Sequence, residues 1–136
     1  MILTSGAFDG IHAGHVRYLD AAKQLCNDVD ELLICAVASD DYIANAKGHR
    51  PRWSHADRII AVHGLSSVDA VIPHGWPSVA SLIRQYRPRL FVKGVDWGTS
   101  LPEDVLAACE EGGTDVAFVD SGVTGHSSDD LSSQRS

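Results

Sequence analysis

No stretch of this chain approaches the ~20 consecutive apolar residues that cross a bilayer, so a membrane-spanning helix is not expected. The N-terminus, MILTSGAFDG, has neither the basic segment nor the long apolar run of a secretory signal, which predicts a cytoplasmic protein. Cysteine is scarce: Cys26, Cys35 and Cys109 are odd in number and far apart. They match neither a disulfide framework nor a paired zinc motif, and they predict buried free thiols in a reducing compartment. The familiar phosphate loops are missing as well. No Gly-x4-Gly-Lys-Ser/Thr is present, and the glycines of residues 6–15, GAFDGIHAGH, are spaced four and four rather than as Gly-x-Gly-x-x-Gly. The HAGH element has no acidic residue between its histidines and no evident third ligand, so it does not read as a zinc site.

What is present is an ordinary globular composition, 44% hydrophobic and 21% charged over 136 residues. That length predicts one domain, burying roughly two-thirds of its unfolded surface. Charge is unevenly placed. Residues 1–41, 42–95 and 96–136 carry −5, +6 and −8. A basic middle in an acidic chain argues against coating nucleic acid and suits a local anion site, such as a phosphate cluster.

The pattern alternates strand and helix. Apolar runs at Ile2–Ser5, Glu31–Ser39, Ala70–Pro73, Arg89–Val92 and Val116–Asp120 read as strands. Between them, helices are predicted from about Gly14 to Leu25, from an N-cap at Ser54 to about Leu65, from Pro77 to about Tyr86, and over Pro102–Glu111 with a stop at Gly112-Gly113. Asp40–Ala46 reads as a helical turn, and residues 127–136 as a polar C-terminal tail beyond a domain of residues 1–126. Five such strands predict an α/β fold: a doubly wound, Rossmann-like parallel sheet of order 3-2-1-4-5 with helices on both faces. In that order the first and fourth strands are neighbours at the switch point, where ligands bind beyond the carboxyl ends. GAFDGIHAGH and KGVDWGTS should therefore meet there. His12 and His15 fall at a strand-to-helix junction, where free N–H groups and the helix dipole favour an anion. Glycine allows close approach, and imidazoles can donate to phosphoryl oxygens as charge develops. The loop reads as a phosphate site suited to phosphoryl or nucleotidyl transfer.

TSGAFDGIHAGHVRYLDAAKQL resembles the first motif of the cytidylyltransferase-like nucleotidyltransferases, G-x-F-D-x-x-H-x-G-H. SDDYIANAKGHRP is similar to that family's S/T-D…K-G-x-x-R-P stretch, SHADRIIAVHGLSSVDAVI to its Arg-bearing helix and V-D-x-V-I, and PRLFVKGVDW to P-D-x-x-V-K-G-x-D-Y/W. Within it, KGVDW and KGHRP resemble the nucleotidyltransferase domain of ADP-heptose synthases, and VIPHGW resembles glycerol-3-phosphate cytidylyltransferase. The resemblance implies transfer of a nucleoside monophosphate from CTP or ATP to a sugar or polyol phosphate, with magnesium carried mainly by the phosphates and pyrophosphate released. It leaves open an adenylyltransferase acting on a cofactor precursor, or a nucleotide-binding module of reduced activity. It implies His12, His15 and Lys47 as catalytic residues. Gly6, Ala7, Phe8, Asp9, Gly14, Lys93, Gly94, Asp96, Trp97, Ser127 and Ser128 are implied on the nucleotide, and Asp40, Arg50 and Arg58 on the acceptor. A homodimer, with no nucleic-acid or membrane partner, is implied too. The family's last motif sets an Arg before an I-S-T-T-like run; VDSGVTGHSSDDL keeps the hydroxyls and lacks the Arg.

Overall fold

The first strand, β1 (Ile2–Gly6), is buried at every position, as a central strand covered on both faces requires. A computed structural model describes residues 1–75, 78–94 and 101–120 and shows where the rest of the chain goes around β1. In order come α1 (Ala13–Lys23), β2 (Leu33–Ala38), α2 (Asp40–Lys47), α3 (His55–His63), β3 (Ala70–His74), α4 (Ala80–Tyr86), β4 (Leu90–Gly94), α5 (Glu103–Gly112) and β5 (Asp115–Val119). All neighbouring strands pair in parallel, in the order β3-β2-β1-β4-β5, the order the alternating pattern predicts. Residues 127–136, the predicted tail, lie outside the described residues.

Side chains alternate across the sheet with the period of two that strands impose. Ile2, Leu33, Cys35, Val37 and Val92 point to one face and pack with Leu19 and Ala22 of α1 and Val62 of α3. Leu3, Ala36 and Phe91 point to the other and meet Ile83 of α4 and Val105 and Ala108 of α5. Cys35 is fully buried and burial drives its thiol pKa far up, so it is an inert packing group. Cys26 is half-buried and Cys109 buried, both as free thiols.

Local chemistry sets the ends. Ser54 caps α3 by accepting from the Asp57 N–H at 3.2 Å, and Gly113 closes α5 in the left-handed conformation. The stretch after β2 is more than a turn. Ser39 caps it from the front and Gly48, at φ 79°, from behind, making α2 a two-turn helix. At the amino end of the sheet, Arg89 makes a bidentate pair with Glu31 at 2.8 and 2.9 Å and reaches the Leu25 carbonyl. That guanidinium holds the Glu31 carboxyl down at about 2. Thr4 and Tyr18 both donate to the Val92 carbonyl, tying β1, α1 and β4 together under the carboxyl ends of the strands.

Candidate functional site

The turn from β1 into α1 is shaped around two residues with positive φ. Phe8 takes φ 52°, uncommon for a bulky residue, and its ring is buried in the core, 1% exposed, 5.3 Å from the His15 ring. Gly10 takes φ 93°, which a side chain would strain. Such strain is concentrated at functional turns that the surroundings over-determine. Phe8 is therefore a packing anchor for the turn.

His12 is the N-cap of α1. Its Nδ1 accepts from the Gly14 N–H at 3.0 Å, and Nδ1 of His15 accepts from the His12 N–H at 3.2 Å. This is a capping box built from imidazoles, satisfying donors that a helix start leaves open. The rings lie 4.1 Å apart between centroids. An Nδ1 that accepts carries no proton, so in both neutral rings the N–H is the one on Nε2. Two such donors at the positive end of a helix are suited to the oxygens of an anion.

Asp9 ties this turn to the basic segment. Its carboxylate accepts from the Arg52 and Trp53 N–H groups at 2.8 and 2.9 Å. The Arg52 guanidinium lies over Gly10, where a Cβ would stand 3.6 Å from it. Asp9 thus acts by holding the loop between α2 and α3 against the histidine turn. Arg50 in that loop is exposed and stands 3.8 Å from Asp41, which is exposed too.

Arg58 departs from the expected acceptor contact. Its guanidinium is fully buried and donates to the carbonyls of Ala7 at 2.7 Å, Ala38 at 2.6 Å and Trp53 at 3.0 Å, and to Asp40 Oδ1 at 2.6 Å. It joins the ends of β1 and β2 to the start of α2. Asp40, expected on the acceptor, is its counter-charge. The signal was in the helix: Arg58 and Val62 are the two buried residues of α3, four apart on one face.

Beside the turn, the carboxyl ends of β1 and β4 floor a cleft of about 230 Å³. Gly6, Ala7, Lys93 and Gly94 line the floor, Lys47 comes from α2, and α4 and α5 close the far side with Val79 and Val105. The structure so brings together five of the residues singled out in the sequence. The cleft lies on the α4 and α5 face, the histidine pair heads α1, which packs on the other, and neither His12 nor His15 is among the residues that line it. Burial lowers the Lys47 pKa, opposed by the Asp9 charge. Lys93 Nζ donates to the Ser5 carbonyl at 3.0 Å. His74 and Tyr42 also line the cleft and were not singled out. Their positions, at the end of β3 and on α2, satisfy the rule that ligands sit beyond strand carboxyl ends. Asp96, Trp97, Ser127 and Ser128 lie outside the described residues. Among the described residues no group of His, Cys, Asp or Glu could hold a metal ion, and no helix is long and apolar enough to cross a membrane.

Curated proteins similar to the chain include the "Bifunctional protein HldE" of Chromohalobacter salexigens, 40% identical over 106 residues, which are 77% of this chain and 21% of that protein. The protein of the same name from Psychromonas ingrahamii is 40% identical over 111 residues, 81% of this chain and 22% of its own. The chain thus spans about a fifth of the length of the curated relatives it matches. Among solved structures, one described as the lipopolysaccharide core biosynthesis protein from Thermoplasma volcanium superposes with a TM-score of 0.70 at 23% identity, covering 88% of this chain and 95% of that one. A protein of unknown function from Archaeoglobus fulgidus gives 0.64 at 16% identity, covering 92% and 93%. Both likenesses speak for the fold. The model of the cytidylyltransferase-like family matches residues 3–128, and the chain belongs to that family.

Proposed function

We propose that this chain is a nucleotidyltransferase that moves a nucleoside monophosphate from CTP or ATP onto the phosphate of a sugar phosphate or polyol phosphate. An acceptor phosphate oxygen bonds to the α-phosphorus, the bond from that phosphorus to the bridging oxygen of the β-phosphate breaks, and pyrophosphate leaves. No covalent enzyme intermediate is required, so catalysis rests on positioning and charge stabilisation. The observation that carries the reading is the histidine capping box. Backbone N–H groups fix Nδ1 of both rings, so their Nε2–H donors are pre-oriented before any charge develops. Lys47 and Lys93 supply positive charge in the adjacent cleft for the acceptor phosphate. Magnesium enters with the triphosphate as its counter-ion. The acceptor class follows from the likeness of KGVDW and KGHRP to heptose-type enzymes and of VIPHGW to glycerol-phosphate ones.

The test is a pyrophosphate-release matrix of four nucleoside triphosphates against sugar 1-phosphates and polyol phosphates, with magnesium present. One pair should stand out, and His12→Ala or His15→Ala should lower its turnover by more than ~100-fold in a folded protein. Silence across the matrix, or wild-type rates in either variant, refutes the proposal.

A further inference from the structure

β3 ends in a histidine where the rest of the strand would lead one to expect a solvated terminus. His74 is buried, 5% exposed, and its carbonyl accepts from the Ser39 N–H at 2.8 Å, fixing its backbone against the start of α2. The ring meets Tyr42 edge-on at 4.6 Å. Nδ1 stands 3.3 Å from the Gly75 carbonyl. A carbonyl can only accept, so the proton of the neutral ring is on Nδ1, and Nε2 carries a bare lone pair. No donor reaches Nε2 among the described residues. Buried polar atoms are nearly always satisfied, so the open Nε2 of a residue that lines a cleft calls for a donor from outside the protein.

The surroundings say what that ligand atom is. Lys47 and Lys93 on the same cleft attract anions, so the acceptor's phosphate belongs with them. A bare imidazole nitrogen repels an anion and calls for a donor. Val79, Phe91 and Val105 give the cleft apolar walls, and besides the two lysines and His74 its polar side chains are the hydroxyls of Ser5, Tyr42 and Ser78, so His74 is the one imidazole acceptor among the described lining residues. Burial, with Lys93 and His55 acting in the same sense, pushes the His74 pKa down to about 4, so the lone pair persists at neutral pH.

We propose that Nε2 of His74 accepts a hydrogen bond from a hydroxyl of the phosphorylated acceptor and thereby selects hydroxylated acceptors over their deoxy counterparts. The inference rests on the nucleotidyltransferase reading and adds a specificity-determining residue to it. Its role is positioning; the histidines of the β1–α1 turn face the transferred phosphate.

The experiment uses glucose 1-phosphate, mannose 1-phosphate and glycerol 3-phosphate, each with its monodeoxy analogues, and three proteins: wild type, His74→Phe and His74→Gln. For whichever parent is turned over, one deoxy analogue should lose about tenfold or more in kcat/KM on the wild type, mainly through KM. His74→Phe keeps the ring against Tyr42 but removes the acceptor atom, and should bring parent and deoxy analogue to the same kcat/KM. His74→Gln restores an acceptor oxygen and should recover the preference. In the wild type, the Nε2 nitrogen resonance of His74 should shift with the parent and stay in place with the deoxy analogue, a readout that needs no variant. An unchanged parent-to-deoxy ratio in His74→Phe, or a resonance indifferent to the parent, overturns the assignment of His74 alone. The absence of both turnover and calorimetric binding with every parent overturns the nucleotidyltransferase reading and this inference together.

Discussion

Arg58→Leu replaces a fully buried guanidinium with a side chain that fills space and donates nothing. Four hydrogen bonds are lost, to the carbonyls of Ala7, Ala38 and Trp53 and to Asp40. Asp40 is 30% exposed and regains water, so its share is small. Ala7 and Ala38, 4% and 2% exposed, do not. Each stranded buried acceptor costs roughly 1–3 kcal/mol, and removing one partner of a buried ion pair typically costs about 3–5 kcal/mol in all. A loss of about 3–5 kcal/mol is a large part of the 5–15 kcal/mol that typically holds a domain together. With a urea slope of about 2 kcal/mol per molar, the unfolding midpoint should fall by roughly 2 M. Urea titration followed by tryptophan fluorescence and by circular dichroism measures this, coincidence of the two probes guarding the two-state treatment. Arg58→Lys should fall between, since one ammonium cannot span three carbonyls and a carboxylate. A midpoint shift under ~0.5 M, with a raised KM for the acceptor, would refute the strut and return Arg58 to the substrate.

Three further outcomes are expected. His12→Ala should lose about 1 kcal/mol of stability as well as activity, whereas His12→Asn should keep the cap, recover the stability and stay inactive; thermal melts and pyrophosphate release separate the two. His74 has a folded pKa of about 4 against 6.5 when unfolded, so its contribution is complete above pH 6.5 and is lost as the pH falls through 4. The difference amounts to about 3 kcal/mol, and His74→Gln should flatten that part of the stability profile while leaving the lower window set by Glu31, between 4.5 and about 2. Asp9→Ala should release the Arg52 and Trp53 N–H groups, so trypsin should cut after Arg52 faster than in the wild type; equal cleavage rates would show that the loop is held by something else.

The central strands were legible because a strand covered on both faces must be apolar throughout, as ELLICAVAS and RLFV are, and their order followed from right-handed crossovers between alternating strands and helices. The histidine turn was legible for a similar reason: glycines and histidines at a strand-to-helix junction have few other uses. The caps at Ser54 and Gly113 depend on neighbours three or four residues away and could be read directly. What escaped the reading is long-range. Arg58 sits among basic residues in the chain, yet its partners come from residues 7, 38 and 40. Nothing local distinguishes a guanidinium that will be buried from one that will face a phosphate, except its place on the apolar stripe of α3. Asp9 likewise finds its donors more than forty residues away. His74 follows the alternation of β3 as any strand residue would, and only the packing of α2 across its end turns it into a cleft wall.

The histidine capping box links the site to the first turn of one helix. Rings that orient the helix start are themselves oriented by it, so donor alignment is secured during folding rather than on substrate arrival. The same link makes the site vulnerable to motion far smaller than unfolding. Fraying of residues 12–15 breaks both Nδ1 contacts at once and frees the rings to rotate, while the sheet beneath stays whole. Loss of activity on heating should therefore set in below the temperature at which the sheet melts, with the opening of one helical turn as its cause.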